Sequence, residues 1–185
     1  HYRLSIHLST AILIISIVFW LIKNITSNKN KVFFKFSKNN FPFQILIFII
    51  FVQIILGAFV SGLDAGKIYQ TWPLMGNTYI PDDLLYENVI SIFQFDNHSL
   101  VQFYHRNLAY LIILYTFGLS IFIYRKRTLN LHKPLKILLF VLFIQVLLGI
   151  ITLVSGLNIY LASMHQITSV LLVFSALNLY YFNAK

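Results

Sequence analysis

The chain contains no cysteine. That excludes disulfides, thiolate metal centres and cysteine nucleophiles together. Acids are nearly as scarce, with five Asp and Glu among 185 residues against 14 Lys and Arg. Charged residues of either sign make up only 10% of the chain, whereas 58% is hydrophobic. No ordinary soluble domain of this length has so much apolar surface to hide, so the solvent for most of it is a lipid bilayer. The formal charge of +9 does not indicate a nucleic-acid partner. The basic residues gather in two short connections between apolar runs instead of forming a stripe. The sequence opens on His1 with no charged segment ahead of the first apolar run. No signal peptide is expected there, and the chain reads as starting within a longer protein.

Five runs are long enough, at about 1.5 Å per helical residue, to cross a hydrocarbon core of roughly 30 Å. They are Leu4–Ile22, Phe43–Leu63, Leu100–Tyr124, Leu135–Leu157 and Leu161–Phe182. Each is continuously apolar, without the inward-polar alternation of a barrel strand, so the expected fold is an all-α polytopic membrane protein. The connections set its orientation. Lys23, Lys29, Lys31, Lys35 and Lys38 follow the first run, and Arg125, Lys126, Arg127 and Lys133 follow the third, with no acid in either group. Both connections belong on the positive, cytoplasmic or matrix side. The long connection from Asp64 to Ser99 holds every acid and only Lys67, and so faces the other way.

Orientation gives the histidines depths. His105 lies twenty positions before Arg125, His165 twenty before Lys185, and His7 sixteen before Lys23. As helical rises these are about 30, 30 and 24 Å from the positive edge. All three therefore stand near the outer boundary of the core at similar heights. An internal repeat relates two of them. Gln53-Ile54-Ile55-Leu56-Gly57 followed by Val60-Ser61-Gly62-Leu63 is echoed by Gln145-Val146-Leu147-Leu148-Gly149 followed by Val154-Ser155-Gly156-Leu157. Each copy precedes a histidine-headed helix, so helices two to five form two hairpins of one design. The first helix is an orphaned half-unit, which again predicts a longer protein. Residues 1–22 then read as the last helix of a missing N-terminal half, 23–42 as a basic loop, and 43–185 as a four-helix half.

The outer loop 64–99 is not linker-like. Pro81, Asp82 and Asp83 suit a helix start. Leu84, Leu85, Val89, Ile92 and Phe93 recur at roughly helical spacing and suit a helix lying on the membrane. Tyr69, Trp72 and Tyr79 fit an interfacial aromatic belt. The segment is expected to form a folded lid over the outer end of the bundle.

An ionisable residue inside a membrane helix is costly and is by default a functional candidate. A single interfacial histidine is more often a hydrogen-bonding residue than a ligand. Two at matched depth on repeat-related helices are different, because neutral imidazole is the commonest metal ligand and bundle cores hold cofactors between facing helices. Heme needs only axial residues, whereas zinc would need four ligands that this depth does not supply. His105 and His165 are thus candidate heme ligands. Arg106 either snorkels to lipid phosphate or meets a heme propionate. Gln53 and Gln145 are expected in interhelical hydrogen bonds, and Gly57 with Ser61 in a small-xxx-small packing contact. His98 and His132 are expected in solvent. On these residues alone a heme-modifying oxidoreductase and a bis-histidine b-type electron carrier stand nearly level. A transporter relaying protons through its histidines is the third reading.

Longer motifs favour the first. Gly57-Ala58-Phe59-Val60-Ser61-Gly62-Leu63-Asp64-Ala65-Gly66, Thr71-Trp72-Pro73-Leu74-Met75-Gly76, Val101-Gln102-Phe103-Tyr104-His105-Arg106 and His165-Gln166 together resemble heme A synthase of the mitochondrial and α-proteobacterial type. The resemblance runs over essentially the whole chain and implies the fourth to eighth helices of an eight-helix protein. It implies oxidation of heme O to heme A, for cytochrome oxidase assembly, by successive hydroxylation of a ring methyl to a formyl group. Helices two to five would hold a heme b between His105 and His165, with Arg106 beside it. His7 would match one ligand of a second heme site whose partner is absent, and the family's catalytic glutamate would also lie outside this chain. Implied partners are heme O as substrate, heme O synthase, the lipid bilayer and a second copy of the chain. The implied location is a bacterial inner membrane or, alternatively, that of a mitochondrion.

Overall fold

The computed structural model describes residues 1–85 and 94–184. Among them there are only helices, turns and one isolated bridge between Met75 and Thr78. Five helices are long and apolar enough to cross a membrane, as the apolar runs predict. They are α1 (Tyr2–Thr26), α2 (Phe41–Gly62), α4 (His98–Arg125), α5 (His132–Val154) and α6 (Ile159–Asn183); a short α3 spans Asp82–Leu85 in the outer loop. Single 3-10 turns at Ala65–Lys67 and Leu129–Leu131 complete the set. The chain is a multi-pass membrane protein.

Helix ends are fixed locally. Pro42 opens α2, where a missing N–H costs nothing. The Asn97 side chain accepts from Leu100 N at 3.1 Å to start α4. Asn158 accepts from Tyr160 N and Leu161 N to start α6. Each provides an acceptor for N–H groups that have no intrahelical partner. The two copies of the repeat end differently. In the second, Gly156 and Leu157 take left-handed backbone angles and turn α5 sharply into α6. In the first, α2 runs through Gly62 and the left-handed residue is Asp64. The repeat is therefore one of helix faces, not of turns.

The most extensive packing joins α5 to α6 and α2 to α4, so each predicted hairpin closes on itself. Contacts of α2 with α6 and of α4 with α5 complete a ring. In that ring the histidine helices α4 and α6 occupy one diagonal, and the glutamine–glycine helices α2 and α5 the other. Helix α1 lies outside, against α2 and α6. Its buried face is Ser5, Ile12, Ser16 and Trp20. Trp20 stacks on Tyr180 with ring centroids 5.2 Å apart, and donates from Nε1 to Lys31 O at 2.9 Å.

Outside the helices, the described part of the loop after α2 packs against the end of the bundle. Gly66 packs on Leu157 of the α5–α6 turn. Segment 69–79 binds the first turns of α4 through Gln102, Arg106 and Asn107. Of the helix expected over 82–93, α3 covers Asp82–Leu85; 86–93 lie outside the described residues.

Candidate functional site

Two helical turns inside the outer end of the bundle, the repeat makes the same construction twice. His105 stands seven residues into α4 and His165 six into α6, about 10 Å along each helix. Gln53 and Gly57 lie one turn apart on a single face of α2; Gln145 and Gly149 do the same on α5. The imidazole of the next helix fills each cradle. A Cβ at Gly57 would lie 3.1 Å from His105 Cε1, and one at Gly149 only 2.9 Å from His165 Cε1. Gln53 Nε2 is 3.4 Å from His105 Nε2, and Gln145 Nε2 is 3.4 Å from His165 Nε2.

Hydrogen bonding then decides which ring nitrogen carries the proton. His165 Nδ1 is 3.1 Å from the backbone oxygen of Gln145. A carbonyl only accepts, so Nδ1 is the N–H and Nε2 keeps its lone pair, which faces the Gln145 amide. For His105 the Gln53 amide donates to the backbone oxygen of His105 at 2.9 Å and presents its second hydrogen toward Nε2. Both rings thus turn an unprotonated Nε2 toward the neighbouring glutamine. The copies differ at Nδ1, because that of His105 is buried and has no partner. Gln53 Oε1 and Gln145 Oε1 are likewise buried and unpaired. Orphaned polar atoms around two lone-pair nitrogens suit a ligand that takes imidazole on an axis. Among the described residues no three of His, Cys, Asp and Glu come together.

Arg106 follows His105 but points into the lid. Its Nη1 donates to Thr71 O at 2.8 Å and to Leu74 O at 3.2 Å, and its Nη2 to Tyr69 O at 2.8 Å. Gln102, one turn earlier, donates to the same Tyr69 oxygen at 2.8 Å. The Thr71–Gly76 motif is the receptor for this guanidinium. Thr71 Oγ1 donates to Leu74 O and accepts from Gly76 N, both within 3 Å, and Gly76 takes a positive φ of 75°. This tight loop turns two carbonyls toward α4, and their dipoles compensate a charge near the membrane boundary. Tyr69 Oη donates to Asp83 at 2.9 Å. Burial first, then Asp83, raise its hydroxyl pKa above the ordinary tyrosine value.

The other histidines separate from this pair. His7 is exposed, on the face of α1 opposite Ser5, Ile12 and Ser16. His98 is exposed at the first turn of α4, as expected. His132, expected in solvent, is half-buried, with its ring 4.5 Å from that of Tyr124 and its Nε2 unpaired. His1 Nε2 approaches Asp96 at 2.7 Å. The predicted glutamine hydrogen bonds are present. The glycine contacts are tighter than a helix–helix approach, since each admits a ring. One signal for that was available, namely glutamine and glycine at a spacing of four in both copies. For Arg106 the sequence offered two partners, lipid and propionate, and the structure supplies a third.

The fold defines the class of the protein: a multi-pass helical membrane bundle, with two cradled imidazoles on one diagonal. A sequence profile of the cytochrome oxidase assembly protein family matches residues 1–177, and the chain belongs to that family. It is similar to heme A synthase of Pelagibacter ubique, with 43% identity over 100% of this chain and 54% of the relative. The heme A synthase of the Wolbachia of Culex pipiens is 37% identical, over 96% of this chain and 52% of the relative. That of Rickettsia africae is 34% identical, over 94% and 52%. The chain spans about half the length of the curated relatives it matches.

Proposed function

We propose that this chain is the heme b-binding part of a heme A synthase, an oxidoreductase that converts heme O to heme A, with His105 and His165 as the axial ligands of the heme b. The observation that carries the reading is the repeated cradle: on both diagonal helices a Gln–Gly pair seats an imidazole whose Nε2 keeps its lone pair. Family membership supports the oxidation of heme O, successive hydroxylation of a ring methyl being the reaction. A bound heme b supplies one-electron chemistry.

The chain's own residues do the holding. The Gln145 carbonyl fixes the tautomer and direction of His165, a support that raises ligand basicity. Gly57 and Gly149 leave the space that each ring occupies. Arg106 clamps the lid to α4 immediately beside His105. His7, on the far face of α1, belongs in this reading to a second heme site completed by another part of the protein. Heme O, heme O synthase and a second copy of the chain are the proposed partners, and a bacterial or mitochondrial inner membrane the proposed location.

A bis-histidine b-type electron carrier would use the same two imidazoles. Two measurements separate and test the readings. Purified chain should show a bis-imidazole heme spectrum that His105→Ala and His165→Ala each abolish; an unchanged spectrum in either variant overturns the ligand assignment. In cells carrying the full-length protein, the same substitutions should make heme O accumulate without heme A. Normal heme A in those cells favours the carrier.

A further inference from the structure

The opposite, positive end of the bundle carries a second feature that the imidazole pair does not use. A cleft of about 990 Å³ opens where the α1–α2 connection, the end of α4 and the end of α6 converge. Its volume is near the upper end of the roughly 300–1,000 Å³ of small-molecule sites. Lys29, Lys31, Lys35 and Lys126 line it, together with amides such as Asn130 and the ring of Phe182. Among the described residues no acidic side chain lines it, and Asp64, Asp82, Asp83 and Asp96 stand toward the other end.

One of these lysines is built into the fold. Lys31 Nζ donates to Tyr181 O at 2.7 Å and to Ala184 O, closing the C-terminal turn of α6. This orients a cation at the negative end of a helix dipole. Partial burial, and next the charge of Lys29, lower the pKa of Lys31 from its ordinary value. Among the described residues no ion pair is formed by Lys29, Lys31, Lys35 or Lys126. Lys126 lies over the Phe122 ring at 4.3 Å, and Phe122 and Phe182 remain 36% and 44% exposed at the rim. Cations around a concave lining that mixes amides with apolar side chains, with exposed aromatic rings beside them, match a group that is anionic at one end and apolar at the other.

We propose that this cleft binds the phosphate of an anionic phospholipid, with Lys29, Lys35 and Lys126 as the headgroup's cationic partners. Basic pockets between helix ends on the positive side suit such headgroups, and each cation near the surface contributes to attraction. A free phosphate ion shares the chemistry of the headgroup but would make no use of the aromatic rim. The reading is independent of the heme assignment.

The test uses the full chain purified in neutral detergent. Dioctanoyl phosphatidylglycerol should raise its melting temperature, whereas dioctanoyl phosphatidylcholine and inorganic phosphate at equal concentration should not. Lys35→Gln with Lys126→Gln should weaken phosphatidylglycerol binding on the order of thirtyfold. Lys133→Gln with Lys136→Gln removes the same charge from the same end without touching the cleft lining, and should leave binding intact. Equal loss in both double variants, an equal response to phosphatidylcholine, or an equal response to phosphate overturns the proposal. If the first double variant does not fold, native mass spectrometry of the unaltered chain decides. One retained phosphatidylglycerol supports the cleft, and an unresolved ladder of adducts overturns it.

Discussion

Gly149 and His165 meet so closely that a single added carbon at the glycine would stand 2.9 Å from the imidazole Cε1. The ring cannot swing aside freely, because its Nδ1–H is held 3.1 Å from the Gln145 carbonyl in the same helix. Overpacking of this kind costs about 1–3 kcal/mol, and the gain in helix propensity from glycine to alanine offsets about 1 kcal/mol of it. Gly149→Ala should therefore lower the melting temperature and shift or weaken the bis-imidazole absorption. Gly57→Ala, where the same contact is 3.1 Å, should do so less. Two variants with the stability and spectrum of the parent would show that the glycines do not seat the rings.

How much of this was legible follows from what kind of partner each residue has. The five spans depend on composition and on spacing along one chain, which a sequence displays directly. The cradle was half legible. Gln53 and Gln145 announce themselves as polar groups in an apolar run, but what a glycine admits depends on the neighbouring helix, and Gly57 reads equally well as a small-residue contact. Arg106 was the least legible. Its partners are the backbone carbonyls of Tyr69, Thr71 and Leu74, and a carbonyl has no residue identity. His132 fell to the same problem, since burial against Tyr124 is a product of the α4–α5 turn and not of the basic residues around it.

Arg106 offers three fork-like bonds that a lysine cannot reproduce as a point charge. Hydrogen bonds to a charged group contribute about 1.5–3 kcal/mol each. Arg106→Lys should thus release the Thr71–Gly76 loop from α4 while sparing the imidazole pair. The amides of Met75 and Gly76, bonded to Thr78 O and Thr71 Oγ1, should exchange with solvent on the order of tenfold faster or more. The heme spectrum should persist. Loss of the spectrum with unchanged exchange would instead assign Arg106 to the cofactor.

Tyr69 ties the other edge of the lid, and its bond depends on pH. The hydroxyl donates to Asp83, so the bond requires neutral tyrosine. Burial and the Asp83 charge both disfavour the phenolate, and the folded-state pKa lies above the ordinary value of 10.0. A group raised on folding contributes stability that is fully present below its unfolded value and is lost as pH climbs through the folded one. The lid's attachment should hold through neutral pH and weaken only above about pH 10. Tyr69→Phe should lose no more than about 1 kcal/mol at neutral pH, because the bond is solvent-exposed. Its melting temperature should also fall less steeply than the parent's across the alkaline range. Parallel alkaline slopes in the two proteins would place the titrating group elsewhere.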